Sequence, residues 1–420
     1  MTIINKTAEK NGCSLKVNYG NNISPRKSLG LYLHIPFCIR KCNYCDFLSF
    51  PADYDHQKAY IHALRKEIAL YSGMYHNKYS VDSIFIGGGT PSLLNIGLLR
   101  DLTKELISGF DLAKDTEVTI ESNPKTLNKE KLEAYLEMGI NRLSIGTQSF
   151  DNELLSRLGR SHSAEDFFDN YFLARKCGFQ NINIDLMFSI PGQTMEHWRE
   201  TLHTAADLAP EHLSFYSLQI EEGTPFFQMK EEGTLVETDG REDREMYHYT
   251  QSFLKEKEYL HYEISNASRA GYQCRHNLKY WSMENYLGLG LGAHSFMNGE
   301  RFSNETDLKA YIKAGEMVEQ PMGKNTSCIV SSPFTVWNHV NSREDDISEY
   351  LFTGLRKIEG VDLNEFHARF GESIKEVYAH NWNQIERYIR GKYLVNTGNR
   401  LRFTKKGIDI SNTILTEFIF

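Results

Sequence analysis

The chain of 420 residues has no apolar run approaching the roughly 18 residues that a bilayer span requires, so no transmembrane helix is expected. It also lacks an excess of positive charge. Its 47 Lys and Arg against 55 Asp and Glu leave a formal net charge of −8, which argues against a general nucleic-acid binder. Residues 1–29 form a polar extension rich in Gly, Asn and Lys, with no apolar core of a secretory leader. Arg26 is the only arginine there, so a mitochondrial presequence is not expected either, and the expected address is the cytoplasm. Cysteine is scarce, at seven, and the odd count in a chain of this size points to reduced thiols rather than to a disulfide framework. No low-complexity linker interrupts the chain.

What is present is an ordinary globular composition, 40% apolar and 24% charged, enough for a large core shared by two or three domains. Cys13, Cys177, Cys274 and Cys328 are scattered, whereas Cys38, Cys42 and Cys45 fall within eight residues. That clustering marks a metal site.

From Gly30 to about Gln219 short β-rich runs alternate with helical patterns. The expected strands are Leu31–Ile35, Ser83–Ile86, Glu117–Ile120, Arg142–Ile145, Asn181–Leu186 and His212–Leu218, with helices over 56–71, 130–138 and 195–209. Six successive βα units predict parallel strands joined by right-handed crossovers. A partial (β/α)6 barrel is the economical α/β architecture, with an open doubly wound sheet as the alternative. After Thr224-Pro225 the alternation stops. A polar helix (240–257) leads into an aromatic and glycine-rich stretch, 262–294. Further on, Ile347–Leu355, Leu363–Phe370 and Tyr378–Arg390 read as helices and Leu394–Phe403 as a two-stranded wing. The expected division is 1–29, a barrel core at 30–225, an extension handling the ligand at 226–335 and a small helical, winged-helix-like domain at 336–420.

Each expected strand runs into polar or glycine-rich sequence: His34 to Phe37 and the cysteines, then Gly87-Gly88-Gly89-Thr90-Pro91, Glu121-Ser122-Asn123-Pro124 and Gly146-Thr147-Gln148-Ser149. The fifth strand carries Asp185 and the sixth ends near Gln219. In parallel α/β folds these carboxyl ends share one rim, where active sites form. Three thiolates leave one coordination position without a protein sulfur. His34 would complete a zinc site, whereas a four-iron cluster would keep one iron open to an outside ligand. Arg40 and Lys41 would partly offset the anionic sulfurs.

The spacing Cys38-x3-Cys42-x2-Cys45 after a first strand, with GGGTP after the second, resembles the radical S-adenosylmethionine (SAM) superfamily. The strings YLHIPFCIRKCNYCDF, IFIGGGTPS, IESNP, RLSIGTQSFD and NIDLMFSIPGQT are similar to its coproporphyrinogen oxidase-like branch. The resemblance implies a partial radical SAM barrel, a [4Fe–4S] cluster on Cys38, Cys42 and Cys45, and SAM on its open iron. By the same resemblance Tyr44 lies against the adenine, and Gly88, Gly89 and Thr90 approach the methionine part. Glu121 meets the amino group, Arg160 the carboxylate, and Gln148 and Asp185 the ribose hydroxyls.

The oxygen-independent coproporphyrinogen III oxidases carry a further cysteine two residues after the third. Here that position is Phe47. The string HNLKYW (276–281) in its aromatic setting resembles the haem chaperone family HemW. This implies that haem is bound and passed to haem-requiring proteins, including ones met at the membrane, with oxidative decarboxylation of a porphyrinogen as the alternative activity. On that basis His276 is the expected axial ligand. Tyr280 and Trp281 would supply flat surface, Asn277 a polar contact, and His294 is a second possible ligand. Between Arg387 and Gly407 there are seven Lys and Arg and no acid. A client-docking module is the functional reading of that stretch, a solvated face the plain one, and no nucleic acid is expected as a partner.

Overall fold

The computed structural model describes residues 26–318 and 332–420; most of the expected 1–29 extension lies outside them. The six expected βα units are present. They run β1 (Lys27–Ile35), α1 (Tyr54–Tyr75), β2 (Tyr79–Gly88), α2 (Ile96–Gly109), β3 (Leu112–Ser122), α3 (Lys129–Glu137) and β4 (Arg142–Gln148). They continue with α4 (Asn152–Arg157), α5 (Ala164–Cys177), β5 (Ile182–Phe188), α6 (Met195–Asp207) and β6 (His212–Ser217). Helix starts follow local chemistry: Asp53 caps α1 by accepting from the His56 N–H, and Ser163 with Asp166 closes a capping box on α5. Gly178 ends α5 in the left-handed conformation.

Strands β1 to β6 are parallel and lie in sequential order. A doubly wound sheet would reverse direction at a switch point. Sequential order instead curls the sheet one way, so the partial barrel is the architecture. On β1 the residues Leu29, Leu31, Leu33 and Ile35 join Ile61, Leu64 and Ile68 of α1 in the core. The alternate residues Gly30, Tyr32 and His34 therefore face the concave side.

The sheet does not stop where the alternation ends. After α7 (Pro225–Glu231) and α8 (Gly240–Glu256) come β7 (Leu260–Glu263), β8 (Asn266–Ser268), α9 (Arg275–Trp281) and β9 (Tyr286–Leu289). Then follow β10 (His294–Met297), β11 (Glu300–Asn304), α10 (Leu308–Met317) and β12 (Thr335–Val340). The result is a twelve-stranded sheet ordered β12-β11-β10-β9-β1-β2-β3-β4-β5-β6-β8-β7. β9 pairs parallel to β1, and β8 antiparallel to β6. The stretch expected as an extension thus supplies strands to both flanks of the barrel. β12 crosses the expected boundary at residue 336 and pairs with β11.

The C-terminal part comprises α11 (Arg343–Gly354), β13 (Val361–Asp362), α12 (Leu363–Phe370), α13 (Ile374–Val377), α14 (Trp382–Arg390), β14 (Leu394–Asn396), β15 (Arg400–Phe403), α15 (Lys405–Ile408) and α16 (Ser411–Leu415). The helix expected over 378–390 is shorter because Tyr378 turns into the core. Its hydroxyl donates to the Phe418 carbonyl at 2.9 Å, and Asn381 Nδ2 donates to the Glu417 carbonyl. The wing gains a third strand, in the order β13-β15-β14. This part is joined to the barrel through backbone bonds: the Ile264 N–H donates to the Arg356 carbonyl, and the Ile358 N–H to the Tyr262 carbonyl. None of the described helices is long and apolar enough to cross a membrane.

Candidate functional site

The chain leaving β1 is held over the barrel mouth by its own backbone. The Phe50 N–H donates to the Pro36 carbonyl, the Cys38 N–H to the Phe50 carbonyl at 3.1 Å, and the Asn43 N–H to the Leu158 carbonyl at 3.0 Å. Cys38, Cys42 and Cys45 are free, half-buried thiols on this loop, and all three line one cavity of about 470 Å³. Burial pushes the Cys45 thiol up, with Cys42 and Cys38 adding to the effect. Among the described residues no set of three His, Cys, Asp or Glu side chains closes on a single ion. His34 is occupied elsewhere, its Nε2 2.8 Å from the Leu48 carbonyl and its Nδ1 3.0 Å from the Tyr32 hydroxyl. The zinc alternative therefore lacks its fourth donor. A cluster that spreads three thiolates over different irons suits the loop better.

The glycine run at the end of β2 fits between this loop and β3. Gly88 has φ +114°, and a Cβ there would come 2.7 Å from the His34 ring. A Cβ on Gly89 would meet the Phe37 carbonyl at 2.8 Å and Cys38 Sγ at 3.0 Å. Only glycine allows that approach. The Gly89 and Thr90 N–H groups donate to the Ile35 and Phe37 carbonyls, both at 2.8 Å, and Thr90 Oγ1 is 3.5 Å from Cys38 Sγ. The Gly88 N–H donates to Glu121 Oε2 at 3.0 Å. Burial, reinforced by the charge of Asp185, pushes the Glu121 carboxyl up to about 8. A cation entering the cavity would reverse that shift.

Strand β4 brings the next groups. Gln148 sits in the left-handed region, φ +69°, at an irregular step in the β4–β5 pairing, and its Oε1 is buried with no hydrogen-bond partner. Backbone strain and an orphaned acceptor together are features of a ligand site. Arg160 Nη2 donates to the Gly146 carbonyl at 2.6 Å while Nη1 approaches Cys42 Sγ at 3.6 Å, which places a fixed cation beside the thiols. Burial raises the Tyr44 hydroxyl pKa, partly offset by the adjacent Arg160. Asp185 is held by three donors: Tyr216 and Asn183 on Oδ1, each at 2.7 Å, and Ser144 on Oδ2 at 3.2 Å.

The opposite end of the barrel is closed by α9. Lys279, buried, pairs with Asp82 at 2.8 Å and with Glu284 at 2.9 Å, tying the helix to β2. His276 is 1% exposed, and both ring nitrogens are engaged: Nδ1 lies 3.1 Å from Ser83 Oγ and Nε2 2.8 Å from the Tyr280 hydroxyl. Its ring stacks on Phe85 at 5.5 Å. Burial lowers its pKa to about 3. His276, Asn277 and Tyr280 line the same cavity as the cysteines. Trp281 does not. It turns toward the C-terminal part, where the Arg356 guanidinium covers it at 4.6 Å. His294 is likewise away from the cavity and exposed.

The residues expected to hold the cluster and SAM therefore share one cavity, which Thr147, Ser149 and Gln219 of the expected strand ends do not line. Its volume lies in the range of roughly 300–1,000 Å³ usual for small-molecule sites. Tyr32, Arg142, Asn183 and Tyr216, to which no motif assigns a role, line the cavity as well. Their signal was period two: Asn183 alternates with Asp185, and Ser214 with Tyr216, as polar residues inside strands with buried apolar neighbours.

Comparison with known proteins agrees with this geometry. Residues 32–205 match the Radical SAM superfamily and residues 341–410 the HemN C-terminal domain. A protein of Escherichia coli (strain K12) described as the heme chaperone HemW is 39% identical over 397 residues, covering 93% of this chain and 98% of its own length. The chain belongs to the HemW family of radical SAM proteins. A HemW of Bacillus subtilis (strain 168) is 34% identical over 390 residues, 92% of this chain and 98% of that protein. In fold, the structure is similar to coproporphyrinogen III oxidase (HemN) from Escherichia coli, with a TM-score of 0.79 at 23% identity, covering 94% of this chain and 90% of the other. Membership of the superfamily implies a [4Fe–4S] cluster and SAM. The free thiols, the glycine cradle and the orphaned Gln148 acceptor suit that pair.

Proposed function

We propose that this chain is a haem chaperone that receives haem on a radical SAM scaffold and passes it to haem-requiring proteins. The likeness to the HemW proteins carries the reading, because it extends over 93% of the chain and thus includes the segment that closes the barrel. Phe47, 64% exposed beside Cys45, occupies the position where the oxidase branch carries its further cysteine. The likeness to HemN is one of fold.

In this reading Cys38, Cys42 and Cys45 hold the cluster and Arg160 balances its charge. When bound, the cluster and SAM would supply one-electron cleavage of the sulfonium. Tyr44 packs on the adenine, and Gly88, Gly89 and Thr90 admit the methionine chain at close range. The Glu121 carboxylate takes the ammonium and Arg160 the carboxylate, while Gln148 and Asp185 accept from the ribose hydroxyls. His276 serves haem once its Nε2 is released from the Tyr280 hydroxyl, with Asn277 and Tyr280 beside it. Handover takes place in the cytoplasm or at the membrane surface, with the C-terminal part meeting the client.

The test is haem titration of the cluster-loaded chain and of His276→Ala, followed by transfer to an apo-haem protein with and without SAM. Specific binding that weakens in the variant supports the reading. Steady conversion of coproporphyrinogen to a vinyl product would instead select the oxidase alternative.

A further inference from the structure

Below the layer of Ser144 and Asp185 lies a guanidinium that none of these roles employs. Arg142, the first residue of β4, is 2% exposed and lines the cavity. Its Nε has no hydrogen-bond partner, and among the described residues no hydrogen bond or ion pair to its guanidinium is found. The acids near it are committed elsewhere. Glu117 spends Oε1 on the Cys274 thiol at 3.6 Å and the His276 N–H at 3.4 Å, and Oε2 on the Arg275 N–H at 3.3 Å. Asp185 is already held by Tyr216, Asn183 and Ser144. Burial works against the charge of the arginine, the fields of Cys274, Glu117, Tyr262 and Asp185 more than offset it, and the fork of donors stays unfilled.

A planar fork of this kind matches a carboxylate, which accepts two parallel N–H bonds. The surroundings define the rest of the ligand. Asn183, Ser214 and Asn266 continue the polar floor, while Tyr32, Phe85, His276 and Tyr280 form an aromatic wall. In that wall the ring centroids of Tyr32 and Phe85 lie 6.3 Å apart, and those of Phe85 and His276 5.5 Å apart. A flat apolar body with a carboxylate arm fits both halves. We propose that Arg142 is the carboxylate anchor of the cavity and takes a propionate of the bound tetrapyrrole. This rests on the reading of the chain as a haem binder, and it gives the two arginines separate roles, Arg160 at the rim and Arg142 on the floor.

The experiment titrates the full chain, followed in the Soret band, with haem and with haem dimethyl ester, which keeps the iron and macrocycle but caps both propionates. Wild type should bind the free acid about 10- to 100-fold more tightly than the ester. Arg142→Gln should hold both at the weaker level, and Arg142→Lys, which keeps the charge without the fork, should fall between. SAM affinity of the cluster-loaded Arg142→Gln protein should be unchanged. Equal affinity of wild type for acid and ester, or of Arg142→Gln and wild type for haem, overturns the anchor and leaves the haem reading standing. The ester arm needs no variant, so a folding defect in Arg142→Gln does not blunt it. Wild type with no specific haem affinity rejects both proposals. Loss of SAM binding in place of haem binding assigns the guanidinium to the nucleoside and overturns the anchor.

Discussion

The two ends of the barrel are built on opposite principles. At the mouth, reactive groups sit on loops that leave the strands: half-buried thiols, a glycine run with no side chains, and an arginine braced by a carbonyl. At the other end, Ser83, Glu117 and Arg142 lie inside the strands and are closed over by α9, which adds His276; all four are buried. The mouth is accessible and held by backbone bonds, whereas the closed end is held by buried side chains and their electrostatics. In closed (β/α) barrels the interior is usually filled by branched apolar residues. Here polar side chains such as Arg142, Ser144, Asn183 and Asp185 share it with an aromatic wall, which stability alone would not favour.

That contrast can be tested from both ends. The largest effect is expected at the mouth: Cys38→Ala, Cys42→Ala or Cys45→Ala should each reduce anaerobically measured iron and sulfide from about four per chain to near zero. The thermal midpoint of the apo chain should move little, because the thiols are half-exposed. At the closed end Glu117→Gln should do the reverse. Cluster content should persist while urea denaturation shows a loss of about 3 kcal/mol, since Arg142 is left with less balancing charge and α9 with a weaker cap. Gly88→Ala should cost about 1–3 kcal/mol through its left-handed φ and the approach to His34, and should weaken SAM binding as well.

The smallest effects are the pH slopes, and they have opposite signs. Glu121 at the mouth titrates near 8 in the folded chain against an ordinary 4.5, so folding takes up a proton between those values. Its contribution to stability is full below pH 4.5 and is lost as pH rises toward 8. His276 titrates near 3 against an ordinary 6.5, so below pH 6.5 the unfolded chain binds a proton that the folded chain refuses. Stability then declines as pH falls toward 3. Each slope is at most about 1.4 kcal/mol per pH unit. Denaturation of the apo chain across pH should show Glu121→Gln flattening the alkaline arm and His276→Gln the acid arm. Slopes unchanged by both variants would refute the assignment of the two ends.

Legibility followed the same division. The mouth was readable because each of its residues lies within a few positions of a strand end, so correct strands placed Cys38, Gly88, Glu121 and Gln148 on one rim. The six parallel strands were readable from their apolar runs and spacing. The closed end was not. Trp281 was expected beside His276, yet a seven-residue helix turns the two apart, one into the cavity and one under Arg356. Arg142 looked like the polar start of a strand. Strands β9 and β12 were hidden because they pair with β1 and β11 across distant parts of the chain, whereas β10 and β11 form a local hairpin around Asn298-Gly299 that the aromatic and glycine-rich composition masked.

The amino-acid sequence by itself determined the six βα units with parallel strands, the trio of thiols and the glycine run beside them. These are local properties: spacing, periodicity and the lack of a Cβ act within a few residues. The strand order that makes the sheet a barrel came from the tertiary structure. Only the tertiary structure decided which polar side chains share the interior, that Glu117 caps α9 from a strand about 160 residues earlier, and that Arg142 keeps its fork unfilled. Register and side-chain direction across β3, β4 and α9 set those relations, and they exist only once the sheet has curled and the helix has closed it.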